Sequence, residues 1–302
     1  MNLKKVFSTF TVLLLLLSCS NPTKGNNNAL LWKISGNGLE NSSYLFGTHH
    51  LVPLTFLDSI PGIHDAFEHS AQTVGELDLS HMQQLQMEIM GKAMMPQGTT
   101  YESLISEADR AKLDSTLTSL MGMGLAQLGR LRPAMLHNLI SVTLYQRYYP
   151  SLSGGIGLDQ YFQEEALKRN RPVMGLENTD DQIKVLLEMQ SIERQAELLA
   201  CMINNPETLK EQMDKLQKAY HGQDLDALWA LYTEVDPDDP CPSTKEEKEA
   251  LNADRNAKWL EKLPAIMAEQ SSFIAVGCLH LPGEVGLIEG LRKLGYTVEP
   301  VR

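Results

Sequence analysis

Ser272-Phe273-Ile274-Ala275-Val276-Gly277-Cys278-Leu279-His280 decides how the chain is read. A continuous apolar run of this length is the mark of a strand covered on both faces. A glycine then lets the backbone turn sharply, and a histidine follows three residues later. The same layout stands near the other end of the chain, where Tyr44-Leu45-Phe46 leads into Gly47-Thr48-His49-His50. Two further short runs end on acids: Gln72-Thr73-Val74-Gly75-Glu76-Leu77-Asp78, and Val173-Met174-Gly175-Leu176-Glu177. Outward from these, Leu30-Leu31-Trp32-Lys33-Ile34 and Ser43 to Phe46 flank the turn Gly36-Asn37-Gly38 and read as a hairpin. Helices are expected from Ile63 to Ser70, from near Gly157, and from Gly286 to Leu294, with a last strand from Tyr296 to Glu299. Between about residues 80 and 262 apolar residues recur at three and four spacing, as at Leu113, Leu117 and Leu120 or Leu225, Leu228 and Leu231. The order predicts an α/β fold: a central mixed sheet built from both chain ends, flanked by helices, with a large helical insertion.

The chain has 302 residues, 43% hydrophobic and 21% charged, enough for a large core. Twenty-six basic residues face 38 acidic ones, a formal net charge of −12. That balance repels phosphate backbones, and no basic stripe interleaved with aromatics offsets it, so nucleic acid is not an expected partner. Lys4 and Lys5 precede an apolar run from Phe10 to Leu17, too short to span a bilayer and suited to a secretory signal over residues 1–18. Leu16-Leu17-Ser18-Cys19 reads as a lipoprotein cleavage site. Acylation of Cys19 would then tether the chain to a bacterial membrane on the periplasmic or cell-surface side. Residues 19–29, rich in Asn, read as a flexible tether ahead of a single domain over residues 30–302. In an oxidising compartment Cys201 and Cys241 become candidates for a disulfide, while Cys278 reads as a buried free thiol. The Met-rich stretch around Met82, Met87, Met90, Met94 and Met95 reads as adaptable core rather than a peptide groove.

Open α/β sheets place ligands at the carboxyl ends of their strands. Two imidazoles brought to that edge make the start of a divalent-metal site, with His50 and His280 as ligands. A strand-end glutamate, Glu76 or Glu177, would complete the ligand set or take a proton from water as general base. His49 neighbours His50 and is expected to support it rather than to bind. His64 and His69 are expected to face solvent, and His137 to be structural. No Gly-x-Ser-x-Gly elbow, His-Glu-x-x-His motif or phosphate-cradling Gly-rich loop is present.

From about Leu31 to Val301 the sequence resembles the TraB/GumN family, which includes the Tiki metalloproteases. The resemblance is carried by Leu31-Trp32-Lys33-Ile34, by Tyr44 to His50, by Glu76, and by Gly157-x-Asp159. It continues through Gly175-Leu176-Glu177 with Gln182, Arg255-Asn256 with Trp259, Val276 to Gly283, Gly286, and Gly295 to Val298. It implies a metal-dependent hydrolase, with manganese or cobalt as the metal and zinc as the alternative. His50 and His280 are carried over as motif histidines, Glu76 and Glu177 as acidic partners, and Arg255 and Asn256 as residues lining the site.

The expected function is therefore a divalent-metal-dependent hydrolase, a peptidase acting on peptide or protein. His50, His280 and one glutamate, Glu76 or Glu177 with Glu76 taken first, would hold metal, the other glutamate would activate water, and Arg255 would steady a developing oxyanion. The alternative is a lipoprotein that binds haem, metal or a signalling peptide without cleaving anything.

Overall fold

The computed structural model describes residues 28–152, 155–234 and 236–302. The expected signal segment, Cys19 and most of the tether lie outside them. Asn28 pairs with Asp224 in an isolated bridge, and Ala29 is buried.

Six strands make one sheet: β1 (Leu31–Ser35), β2 (Ser43–Thr48), β3 (Gln72–Gly75), β4 (Val173–Gly175), β5 (Ser272–Gly277) and β6 (Thr297–Pro300). Their spatial order is β4-β3-β5-β2-β1-β6. β1 and β2 form the expected antiparallel hairpin, and β6 pairs antiparallel with β1. The other pairings, β2 with β5, β5 with β3 and β3 with β4, are all parallel. β5 lies in the middle and is buried along nearly its whole length, which is why its sequence is apolar without alternation. β6 alternates between exposed and buried residues and ends on Pro300, which an edge strand tolerates.

The sheet core joins Trp32, Leu45, Phe46, Val74, Phe273 and Ile274 to Phe162 of the helix Leu158–Lys168 and to Leu287 and Leu291 of the helix Leu287–Lys293. Phe162 lies 4.5 Å from Phe273 and 5.8 Å from Phe46, ring centre to ring centre, so this helix is seated on the middle of the sheet. A second core lies within the helical region. Leu113 and Leu117 of Glu107–Met121 meet Met135, Leu136 and Ile140 of Pro133–Tyr148 and Leu199 and Met202 of Ile192–Asn204. Met90, Met94 and Met95 pack against that second core, and Met82 against a smaller cluster around Leu77 and Ile89. Met87 is instead 70% exposed. The central region also supplies β4 and the helices Pro206–His221 and Leu225–Thr233, whose Tyr220, Leu225 and Leu228 belong to the sheet core. Cys201 and Cys241 are joined by a disulfide. Cys278 is a buried free thiol, pushed up to about 12 by burial.

Candidate active site at the strand ends

The four parallel strands end at one edge of the sheet, and each reaches a glycine there: Gly47, Gly75, Gly175 and Gly277. Space explains the residue at all four: a Cβ on Gly75 would collide with Gln163, and one on Gly175 would stand 2.7 Å from the Asp78 backbone. A Cβ on Gly47 would stand 3.0 Å from the Cα of Cys278 and 3.0 Å from Leu281 Cδ2. A Cβ on Gly277 would stand 3.2 Å from Glu76 Oε1. Only glycine lets the two histidine loops and the acidic loop close on one another.

Arg255 stands at the centre. It lies in the first turn of the helix Ala253–Glu269 and is only 4% exposed. Its Nη2 donates to Glu76 Oε2 at 2.5 Å and to Glu177 Oε2 at 2.9 Å, and its Nε donates to Glu177 Oε1 at 2.7 Å. Its Nη1 reaches His280 Nε2 at 3.1 Å. The planar guanidinium thus engages residues from three strand ends, a task its rigid fork of donors suits.

The tautomer of His280 follows from its other neighbour. Asn256 is fully buried, and its Nδ2 donates to Asn252 Oδ1, to the His280 carbonyl and to the Val285 carbonyl. Its Oδ1 is therefore the acceptor that meets His280 Nδ1 at 2.7 Å. Nδ1 carries the proton, and Nε2 accepts from Arg255 Nη1, with Glu76 Oε1 3.9 Å away. Burial, and then the charge of Arg255, lowers His280 to about 3, so the ring is neutral at ordinary pH.

Glu76 is ionised. Burial alone would raise it, but Arg255 first, then His280, His50 and the Gly277 N–H, bring it to about 2. Gly277 N donates to its Oε1 at 2.8 Å, and Gln182 Nε2 to its Oε2 at 3.3 Å. Glu177 also accepts from Trp259 Nε1 at 3.0 Å.

His50 stands slightly apart. Its Nδ1 donates to Asp159 Oδ2 at 2.5 Å, and Thr48 Oγ1 donates to the other oxygen of the same carboxylate at 2.5 Å. Asp159 sits in the first turn of Leu158–Lys168, where the helix dipole favours a negative charge. Burial would lower His50, but the charge and hydrogen bond of Asp159 outweigh it and raise the ring above its usual value. The charges of His50 and Glu76 act on one another, and His50 also acts on His280. His49 turns the other way. It is buried between Tyr145 and Tyr220, accepts from Leu51 N and, among the described residues, leaves Nε2 without a partner.

The expected catalytic and metal-binding residues are therefore all at this edge: Glu76, Glu177, Arg255, Asn256 and His280 in one network, and His50 beside it. Asp159, Gln182 and Trp259 share the site. The sequence showed them only inside motifs, with nothing to assign them a role. His64 and His69 are exposed, as expected.

A family model matches residues 30–300, nearly the whole described chain. The chain belongs to the TraB/PrgY/gumN family. The match takes in every residue of the strand-end network. No curated protein and no solved structure is matched by the chain.

The resemblance implies a divalent metal, and the residues can be tested for fit. Among the described residues no three His, Cys, Asp or Glu side chains are drawn together as a ready metal cage. The kinds of donor nevertheless suit a divalent cation. Both imidazoles give Nδ1 to an oxygen acceptor, Asp159 for His50 and Asn256 for His280, which is how proteins orient metal-binding histidines. His280 Nε2 is left as a lone pair with the ionised carboxylate of Glu76 beside it, and His50, which Asp159 favours in the protonated form, would offer its Nε2 on losing that proton.

Proposed function

We propose that this TraB/PrgY/gumN family member is a divalent-metal-dependent hydrolase acting on peptide bonds. One observation supports this above others: the carboxyl ends of the parallel strands bring Glu76, Glu177 and His280 onto one buried arginine, with His50 at the same edge. Buried charges arranged so closely at a sheet edge are what catalytic sites need and what folding alone does not.

His50, His280 and Glu76 would hold the cation, manganese or cobalt by the family resemblance, with zinc as the alternative. When bound, it would polarise the scissile carbonyl and lower the pKa of water. The chain's own residues do the rest. Asp159 and Thr48 hold His50 in one orientation. Asn256 holds His280 with Nδ1 protonated and Nε2 free to accept. Arg255, tied to two carboxylates, keeps a positive charge where an oxyanion would develop, and its Nη1 is the donor that a cation would displace from His280. Burial of the network keeps bulk water from screening these charges.

The reading of the N-terminus goes with this one. Acylated at Cys19, the protein would work at a bacterial membrane surface, on the periplasmic or outer side. Among the described residues no helix is long and apolar enough to cross a membrane.

The test is metal content together with peptide turnover, for the wild type and for His50→Ala and His280→Ala. About one manganese or cobalt per chain, lost in both variants along with turnover while the fold persists, is the expected result. Full turnover in either variant would sink the assignment. A haem absorbance band, or peptide binding without cleavage in the wild type, would favour the binding-lipoprotein alternative.

A further inference from the structure

We infer that Trp259 is a positioning residue that divides the work of the two glutamates: it fixes Glu177 as the anchor of Arg255 and leaves Glu76 as the carboxylate that faces the reacting atoms. The inference rests on reading the strand-end network as catalytic, and it decides between two residues that the sequence could not tell apart.

Trp259 is fully buried, one helical turn beyond Arg255. Its indole has a single polar atom, which can only donate, and a buried indole N–H needs an acceptor. That acceptor is Glu177 Oε1, at 3.0 Å. The ring packs against His280 at a tilt of 43°, centres 4.4 Å apart, and the Arg255 guanidinium lies 4.8 Å from a ring centre. One side chain therefore touches Glu177, Arg255 and His280 together.

The two carboxylates are held differently. Glu177 Oε1 accepts from Trp259 Nε1 and Arg255 Nε, and its Oε2 from Arg255 Nη2. None of these donors gives up its proton near neutral pH, so Glu177 serves as a fixed acceptor. Glu76 spends Oε2 on Arg255 and Gln182, but among the described residues its Oε1 accepts only from the Gly277 N–H, and it lies 3.9 Å from His280 Nε2. Each carboxylate thus keeps one oxygen with a single donor, Glu177 Oε2 and Glu76 Oε1, but among the described residues only that of Glu76 lies within 4 Å of a histidine nitrogen.

The chain has three tryptophans, so the indole N–H region of an NMR spectrum of the full chain, 15N-labelled at tryptophan, holds three resonances. Trp259→Phe removes one and assigns it. Glu177→Gln is expected to move that resonance, and Glu76→Gln to leave it in place. Trp259→Phe keeps an aromatic ring at the position and removes the donor together with part of the indole's bulk. Its kcat is expected to fall about tenfold, the scale of one hydrogen bond to a charged group, with KM unchanged. Manganese per chain is expected to match the wild type in Trp259→Phe and Glu177→Gln and to be lost in Glu76→Gln. An indole resonance indifferent to Glu177→Gln overturns the inference, as does Glu177→Gln losing manganese as fully as Glu76→Gln. A wild type with neither turnover nor bound manganese would instead overturn the hydrolase reading and the division of labour built on it. The resonance shift would still show whether Trp259 holds Glu177.

Discussion

Arg255 shows how much one buried side chain can carry. It neutralises two carboxylates that are each nearly inaccessible, so removing it leaves both buried and unpaired. Arg255→Met is expected to lower stability by roughly 3–5 kcal/mol, the range for a broken buried ion pair, readable by denaturant unfolding. Titration acts on the same residues. Glu76 sits at about 2, below its ordinary 4.5, so it stabilises the fold above pH 4.5 and that contribution is lost as the pH falls toward 2. His49, by burial, and His280, by burial and Arg255, sit at about 3 instead of 6.5. The unfolded chain takes up their protons first, so their contribution is also lost as the pH falls from 6.5 toward 3. His50 runs the opposite way: its raised value stabilises the fold below 6.5, and this fades as the pH rises through that value. The expected outcome is a melting temperature that drops on acidification below pH 6.5. His49→Phe, which removes one of the buried rings, should make the drop between pH 6.5 and 4 shallower. Calorimetry giving the same slope for both proteins would show that His49 is not a source of it.

At the scale of elements, the strand-end glycines are where β2 and β5 meet. Tyr220 caps that corner from Pro206–His221 by donating its hydroxyl to the Gly47 carbonyl at 3.0 Å. Gly47→Ala would press a methyl group between Cys278 and Leu281, at contacts tighter than a relaxed core shows. The two strand tips must then part. A loss of about 1–3 kcal/mol is expected from overpacking, and the His50 and His280 loops would move apart with it. Thermal melting measures the first effect and metal binding the second. Unchanged values for both would mean that the corner has more slack than these distances imply.

Across the whole molecule, the disulfide ties the helical region to the segment that delivers Arg255. Cys201 ends its link at Cys241, 40 residues on, just before the helix Lys245–Leu251. Arg194 and Gln190 grip Glu247 of that helix, at 3.0 and 2.8 Å, and Arg194 also donates to the Pro242 carbonyl at 2.7 Å. From there the chain runs through Asn252, which donates to the Leu279 carbonyl, into Arg255 and Asn256. Reducing the bridge, or replacing both cysteines with serine, is expected to cost roughly 2–4 kcal/mol, seen as a lower melting temperature. Equal melting with and without reductant would mean that the Arg194–Glu247 grip suffices.

The strands, their order along the chain and the split between sheet and helices were legible in the sequence, because hydrophobic periodicity and glycine placement are local signals. That is why Ser272–Gly277 could be read as a buried strand and Gly36-Asn37-Gly38 as a hairpin turn. The six candidate residues from His50 to His280 that meet at one sheet edge could also be picked out, since each follows a strand end or a family motif. Their partners were not. Asp159 lies 109 residues from His50, and Glu76 lies 179 residues from Arg255. No local pattern records which acid meets which base across such distances. Folding alone decided that Glu177 is held by Trp259 while Glu76 keeps an oxygen toward His280. A carboxylate's role is set by the donors that reach it and the water that does not, and both are properties of the packed molecule.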